Sequence, residues 1–132
     1  MKKQTHSQHL MELRILDQQI KEIQEQLQAL ESQSAELLQI EMAIDELAGI
    51  AKGAEMLVPV AGGIFIRTEL KDASTFLLNV GAGMTVEKSQ DETKILLERQ
   101  RDDLLSLQTD LAQRLEVLID TAVELQQLLQ KG

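Results

Sequence analysis

The 132 residues carry a formal net charge of −9, with 43% hydrophobic and 27% charged side chains but only 2% aromatics and no cysteine. That balance suits one domain and holds too much Leu and Ile for simple disorder; it excludes a disulfide frame, a thiolate zinc site and a thiol nucleophile, and with Phe65 and Phe76 as the sole aromatics neither a bulky globular core nor stacking on bases can be assumed. No stretch is basic and no apolar run approaches the roughly 18 residues of a membrane span, so neither nucleic acid nor a membrane is an expected partner.

The opening Met1-Lys2-Lys3-Gln4-Thr5-His6 lacks the apolar run of a signal peptide, so a cytoplasmic protein is expected. From Lys2 to Ala48 there is no Gly or Pro, and apolar residues recur three and four apart. With Leu13 as heptad position a, the a set is Leu13, Ile20, Leu27, Ser34, Glu41 and Ala48, and the d set is Leu16, Ile23, Leu30, Leu37 and Ile44. Nine of these eleven are apolar, which predicts one coiled-coil helix over 1–48. At about 1.5 Å per residue it spans roughly 70 Å, too long for a core helix in a globule of this size.

The period then changes to two. Leu57 to Val60 leads through Gly62-Gly63 into Ile64 to Leu70, and after Lys71-Asp72-Ala73-Ser74 the run Thr75 to Val80 turns at Gly81-Ala82-Gly83 into Met84 to Lys88. Four short strands in two hairpins or a small meander are predicted within 56–88. Ile64, Ile66, Thr68 and Leu70 share one face, with Phe65, Arg67 and Glu69 on the other. So few large side chains cannot bury a stable core, and strand edges need partners, so this centre is expected to oligomerise. The side chains assigned to that role are Leu57, Val58, Val60, Ile64, Phe65, Ile66, Phe76, Leu78, Val80, Met84 and Val86.

From Ser89 to Lys131 the heptad returns, with Leu97, Leu104, Leu111, Leu118 and Leu125 at d and Lys94, Arg101, Gln108, Leu115, Ala122 and Leu129 at a. Ser89 with Glu92 reads as a capping box. In an antiparallel pair an a residue faces a d residue. Leu13 then faces Leu125, Ile20 faces Leu118, Leu27 faces Leu111 and Glu41 faces Leu97, and in every layer the residue numbers add to one constant. Other seven-residue shifts satisfy the same rule, and the near-equal lengths of the helices select this one. Every layer from Leu30 with Gln108 to Ile44 with Lys94 mixes polar and apolar residues, and Glu41 lies near Arg101 and Lys94. Off-seam Leu38, Ile40, Met42, Leu47, Ile95 and Leu96 suggest further packing there. The expected class is α+β: one domain over 1–132, with a coiled-coil helix at 1–48, a β-hairpin assembly region at 56–88 and a second coiled-coil helix at 89–131.

Near the free ends, Leu10 (e), Met11 (f), Ile15 (c), Val123 (b) and Leu128 (g) are apolar where a solvated face should be polar. With the seam residues Leu13, Leu125 and Leu129 they form a candidate tip for weak contact with many sequences, and repeated arms would add avidity. Fraying or local packing is the bland alternative. His6 and His9 are two ligands at most, so solvated tip residues are the better account and no metal site is expected. Asp45-Glu46, Asp91-Glu92 and Asp102-Asp103 point to different helix faces and are read as solvated charge rather than acid/base pairs. Gly81-Ala82-Gly83 lacks the following helix start of a phosphate loop, and no basic region precedes the leucine heptad, which excludes a DNA-binding zipper.

The segment Leu57-Val58-Pro59-Val60-Ala61-Gly62-Gly63-Ile64-Phe65-Ile66 resembles the first hairpin of α-type subunits of the prefoldin family. Val80-Gly81-Ala82-Gly83-Met84-Thr85-Val86-Glu87-Lys88 resembles the second more closely. Ala61 and Ile64 depart from the glycine and serine usual in the first turn, and the short length looks archaeal. The resemblance implies an ATP-independent chaperone without metal or nucleotide cofactor. Two α-type and four β-type subunits join through a double β-barrel, and six arms hold nonnative protein clients at their tips and pass them to a group II chaperonin. The alternative is a structural coiled-coil protein that self-assembles through its β region into a homo-oligomer or filament. An enzyme is not expected, because no nucleophile with a base is visible.

Overall fold

A computed structural model describes residues 2–131, with side chains from Thr5 onward. The elements are α1 (Lys2–Ala48), β1 (Glu55–Ala61), β2 (Ile64–Glu69), β3 (Thr75–Gly81), β4 (Met84–Ser89) and α2 (Gln90–Lys131). They fall into two compact units, residues 1–35 with 102–132, and residues 36–101.

The first unit is a stretch of paired helix. Ile23, Leu30 and Leu111 form its buried cluster, with Leu27, Leu104, Leu115 and Leu118 packed against it. Both partners of the expected layers Leu27 with Leu111 and Ile23 with Leu115 meet in this cluster, which places the helices in the register that the heptads predict. The polar seam residues Ser34 and Gln108 are half-buried like their apolar neighbours, so the stripe is set by spacing rather than by residue type. Burying each Leu or Ile there stabilises the pair by about 1.5–3 kcal/mol.

The second unit contains the lower helices and both hairpins. Ile44 and Leu97 are buried in it although their expected layers are mixed. The polar seam residues are matched by charge: the Arg101 guanidinium donates to Glu41 Oε2 at 2.5 Å, and Lys94 pairs with Asp45. Glu41 thus takes Arg101, whereas Lys94 prefers the carboxylate one turn further along α1. Leu47 and Leu96 are half-buried, but Leu38, Ile40, Met42 and Ile95 stay exposed, so this chain alone does not cover the off-seam residues of the lower helices.

At the start of α2 the Glu92 N–H donates to Ser89 Oγ at 3.1 Å, and the Ser89 hydroxyl reaches Glu92 Oε1 at 3.1 Å. Ser89 is therefore the N-cap, and the helix begins at Gln90. Thr93 Oγ1 donates to the Ser89 carbonyl at 2.8 Å, so the buried Thr93 hydroxyl is satisfied.

β1 pairs with β2 and β3 with β4, both antiparallel, in two separate two-stranded sheets. Glu55 and Met56, which the alternating pattern leaves out, lengthen the first hairpin through Glu55↔Glu69 and Met56↔Thr68. Ala61↔Ile64 encloses Gly62-Gly63, and Gly81↔Met84 encloses Ala82-Gly83. All four loop residues have positive φ, which is the two-residue hairpin turn whose twist suits the strands. Ala82 holds φ +53 without the freedom of glycine. A register shift precedes each turn, between Pro59 and Ala61 and between Asn79 and Gly81. Gly81 N–H donates to Asn79 Oδ1 at 3.0 Å across the second.

Candidate functional site

Two sets of exposed apolar side chains stand out, one in each unit. In the hairpins, cross-strand pairs set the faces: Met56↔Thr68 and Val58↔Ile66 lie on one side of the first, Leu57↔Arg67 and Pro59↔Phe65 on the other. Leu57, Val58, Val60, Ile64, Phe65 and Ile66 are all exposed, so neither face of this hairpin is covered near its turn. In the second hairpin Phe76 and Leu78 are half-buried, while Val80, Met84 and Val86 are exposed. Leu77 was not singled out from the sequence, yet at 75% it is the most exposed large apolar residue described. It sits opposite Glu87. In the run Phe76-Leu77-Leu78 every position is apolar, so alternation cannot mark the outward one.

The loop between hairpins is held locally. Ser74 N–H donates to Asp72 Oδ1 at 2.8 Å. That bond, helped by the Ser74 side chain and the charge of Lys52, holds the Asp72 carboxyl below its ordinary value of 3.8. At the lower helices, the hydrogen bond that the Lys94 ammonium donates to Asp45 is the largest cause that raises Lys94 above its ordinary 10.5.

In the paired-helix unit, Leu10, Met11, Ile15, Val123 and Leu128 are exposed, Met11 at 63%. Leu125 is buried in the seam, and Leu13 and Leu129 are half-buried. Five of the eight tip residues thus face solvent and three support them from within. A groove of about 320 Å³ runs between the helices here, lined by Glu12, Ile15, Leu16, Thr121, Glu124, Leu125 and Leu128. A second, of about 930 Å³, is lined among others by Ile23, Leu107, Asp110, Arg114, Val117 and Leu118. Val117 and Leu107, exposed at c and g, are the lining residues that a sequence reading confined to the free ends leaves out. Leu105 and Ile119 are exposed too, at e. Their heptad letters carried the signal.

His6 is exposed and His9 half-buried. Among the described residues no three metal-ligating side chains come together, and no helix is long and apolar enough to cross a membrane.

The family model of the prefoldin subunit matches residues 16–131. The chain is 31% identical over 96 residues to prefoldin subunit alpha of Thermofilum pendens, covering 73% of this chain and 74% of that protein. It is 33% identical over 101 residues to prefoldin subunit alpha of Methanobrevibacter smithii, covering 76% and 68% respectively. Among solved structures, filamentous prefoldin from Methanocaldococcus jannaschii superposes with a TM-score of 0.77 at 21% identity, over 86% of this chain and 94% of that one, a likeness of fold. With a family match across both helices and both hairpins, and archaeal α subunits as its relatives, the chain belongs to the prefoldin family.

Proposed function

We propose that this chain captures unfolded proteins with the free ends of its two helices, within a cytoplasmic complex that works without ATP and delivers its clients to a group II chaperonin. Family membership makes it a chaperone subunit that assembles with other prefoldin subunits, and members of this family are not enzymes. The finer reading rests on one observation: Leu10, Met11, Ile15, Val123 and Leu128 are exposed on helices whose seam is already filled. Apolar side chains that neither build the coiled coil nor meet water favourably are available to a nonnative chain. Single contacts of this kind are weak, and several arms in one complex supply avidity.

The hairpins take the assembly role. Their exposed apolar faces and unpaired strand edges are satisfied by strands of neighbouring subunits closing into a β-barrel, with β-type subunits as partners in a hexamer of two α and four β. The test is a variant with Met11, Ile15, Val123 and Leu128 changed to Ser in the assembled complex. Native mass and thermal unfolding should match the parent, while suppression of client aggregation falls. Unchanged suppression would overturn capture by the helix ends.

A further inference from the structure

We infer that the groove at the helix ends selects unfolded segments that carry lysine or arginine beside apolar side chains. The inference rests on the capture reading above and names the class of client. Its walls are Ile15, Leu16, Leu125 and Leu128, and the two charged groups that line it, Glu12 and Glu124, are both carboxylates, one from each helix. Both are exposed, and neither belongs to an ion pair among the described residues. The nearest cations in sequence, Arg14 and Lys131, do not line the groove. The larger groove on the same unit mixes signs, with Arg114, Glu22 and Asp110 all in its lining, unlike the groove at the ends.

The chemistry of an occupant follows from those groups. A purely apolar segment fills the walls but takes water from two carboxylates without replacing it, which disfavours binding. An acidic segment is repelled as well. A lysine or arginine lays its methylene stem along the leucines and isoleucine and brings its charged head to a carboxylate, satisfying both parts of the lining at once. Because the carboxylates are open to solvent, the attraction is modest and salt screens it. Selection of this kind is a difference between affinities, so the unfavourable terms against neutral and acidic segments count as much as the attraction.

The experiment titrates fluorescent peptides that share one leucine pattern, flanked by Lys, by Gln or by Glu, onto the full-length chain in its native assembly. The Lys-flanked peptide should bind about fivefold more tightly than the Gln-flanked one, and the Glu-flanked peptide least. That ratio should fall towards one in the double variant Glu12→Gln and Glu124→Gln, and in about 0.5 M salt. Charge reversal by Glu12→Lys with Glu124→Lys should favour the Glu-flanked peptide instead, a gain that a poorly folded variant would not show. Equal affinity for the Lys- and Gln-flanked peptides in the parent overturns the charge selection and leaves capture by the helix ends standing. A preference that survives in the double variant also overturns it. If no peptide binds the intact assembly, the capture reading falls with it.

Discussion

The polar layers of the lower helices can be tested through Glu41 and Arg101. The Glu41 side chain is 13% exposed and Arg101 40%, with the guanidinium 2.5 Å from the carboxylate. Arg101→Leu removes the cation and leaves a nearly buried carboxylate facing apolar neighbours. Breaking a fully buried pair from one side costs about 3–5 kcal/mol. Arg101 is partly in water and solvent reaches the pair, so the expected loss here is about 1–2 kcal/mol. Changing both residues, Glu41→Leu with Arg101→Leu, makes the layers with Leu97 and Leu37 apolar and should restore or exceed parent stability. The assay is urea unfolding followed by the helical circular-dichroism signal, at one fixed protomer concentration because assembly shifts apparent stability. A double-mutant cycle then isolates the coupling. An Arg101→Leu variant as stable as the parent, or a double variant less stable than Arg101→Leu alone, would rule out a stabilising role for this pair.

Ala82→Gly should raise thermal stability, because φ +53 costs an L residue about 1–2 kcal/mol and glycine's extra freedom in the unfolded chain returns only part of that; a net gain of about 0.5–1 kcal/mol is expected in a melt. Lys94 is raised above 10.5 in the folded state, so its pairing with Asp45 contributes fully below that pH and is lost as pH rises through the raised value. Stability measured up the alkaline limb should therefore fall more steeply in the parent than in Lys94→Met. For Asp72 the sign is opposite: its contribution is present above 3.8 and is lost as pH falls through the lowered folded value, which a carboxyl NMR titration should place below 3.8. Leu77→Lys puts a charge on the most exposed apolar side chain of the hairpins and should shift native mass towards smaller species on size-exclusion chromatography.

The helical pairing was legible because the seam repeats every seven residues without interruption. Even Ser34, Glu41, Gln108 and Arg101 occupy it as the spacing requires. Hairpin turns were legible through Gly62-Gly63 and Gly81-Ala82-Gly83, but the left-handed conformation of Ala82 was not, since nothing in an alanine announces it. Which carboxylate Lys94 takes depends on side-chain reach, and heptad letters do not encode reach. Position letters did mark Met11, Ile15 and Leu128 as off-seam, and they are exposed. They could not show that Glu12 and Glu124 would line one groove with Ile15 and Leu128, because that needs the register of both helices together. The hairpin faces were apolar in sequence; in this chain those of the first hairpin are exposed near its turn, whereas Phe76 and Leu78 of the second are half-buried.

In the function proposed above, the hairpins assemble and the helix ends capture. Site-specific photo-crosslinking of the assembled complex with a denatured client tests that division most directly, with the crosslinker placed in turn at Ile15, Leu128, Phe65 and Leu77. Client adducts at Ile15 and Leu128, with adducts to neighbouring subunits at Phe65 and Leu77, are predicted. Client adducts at the hairpin positions with none at Ile15 and Leu128 would contradict it.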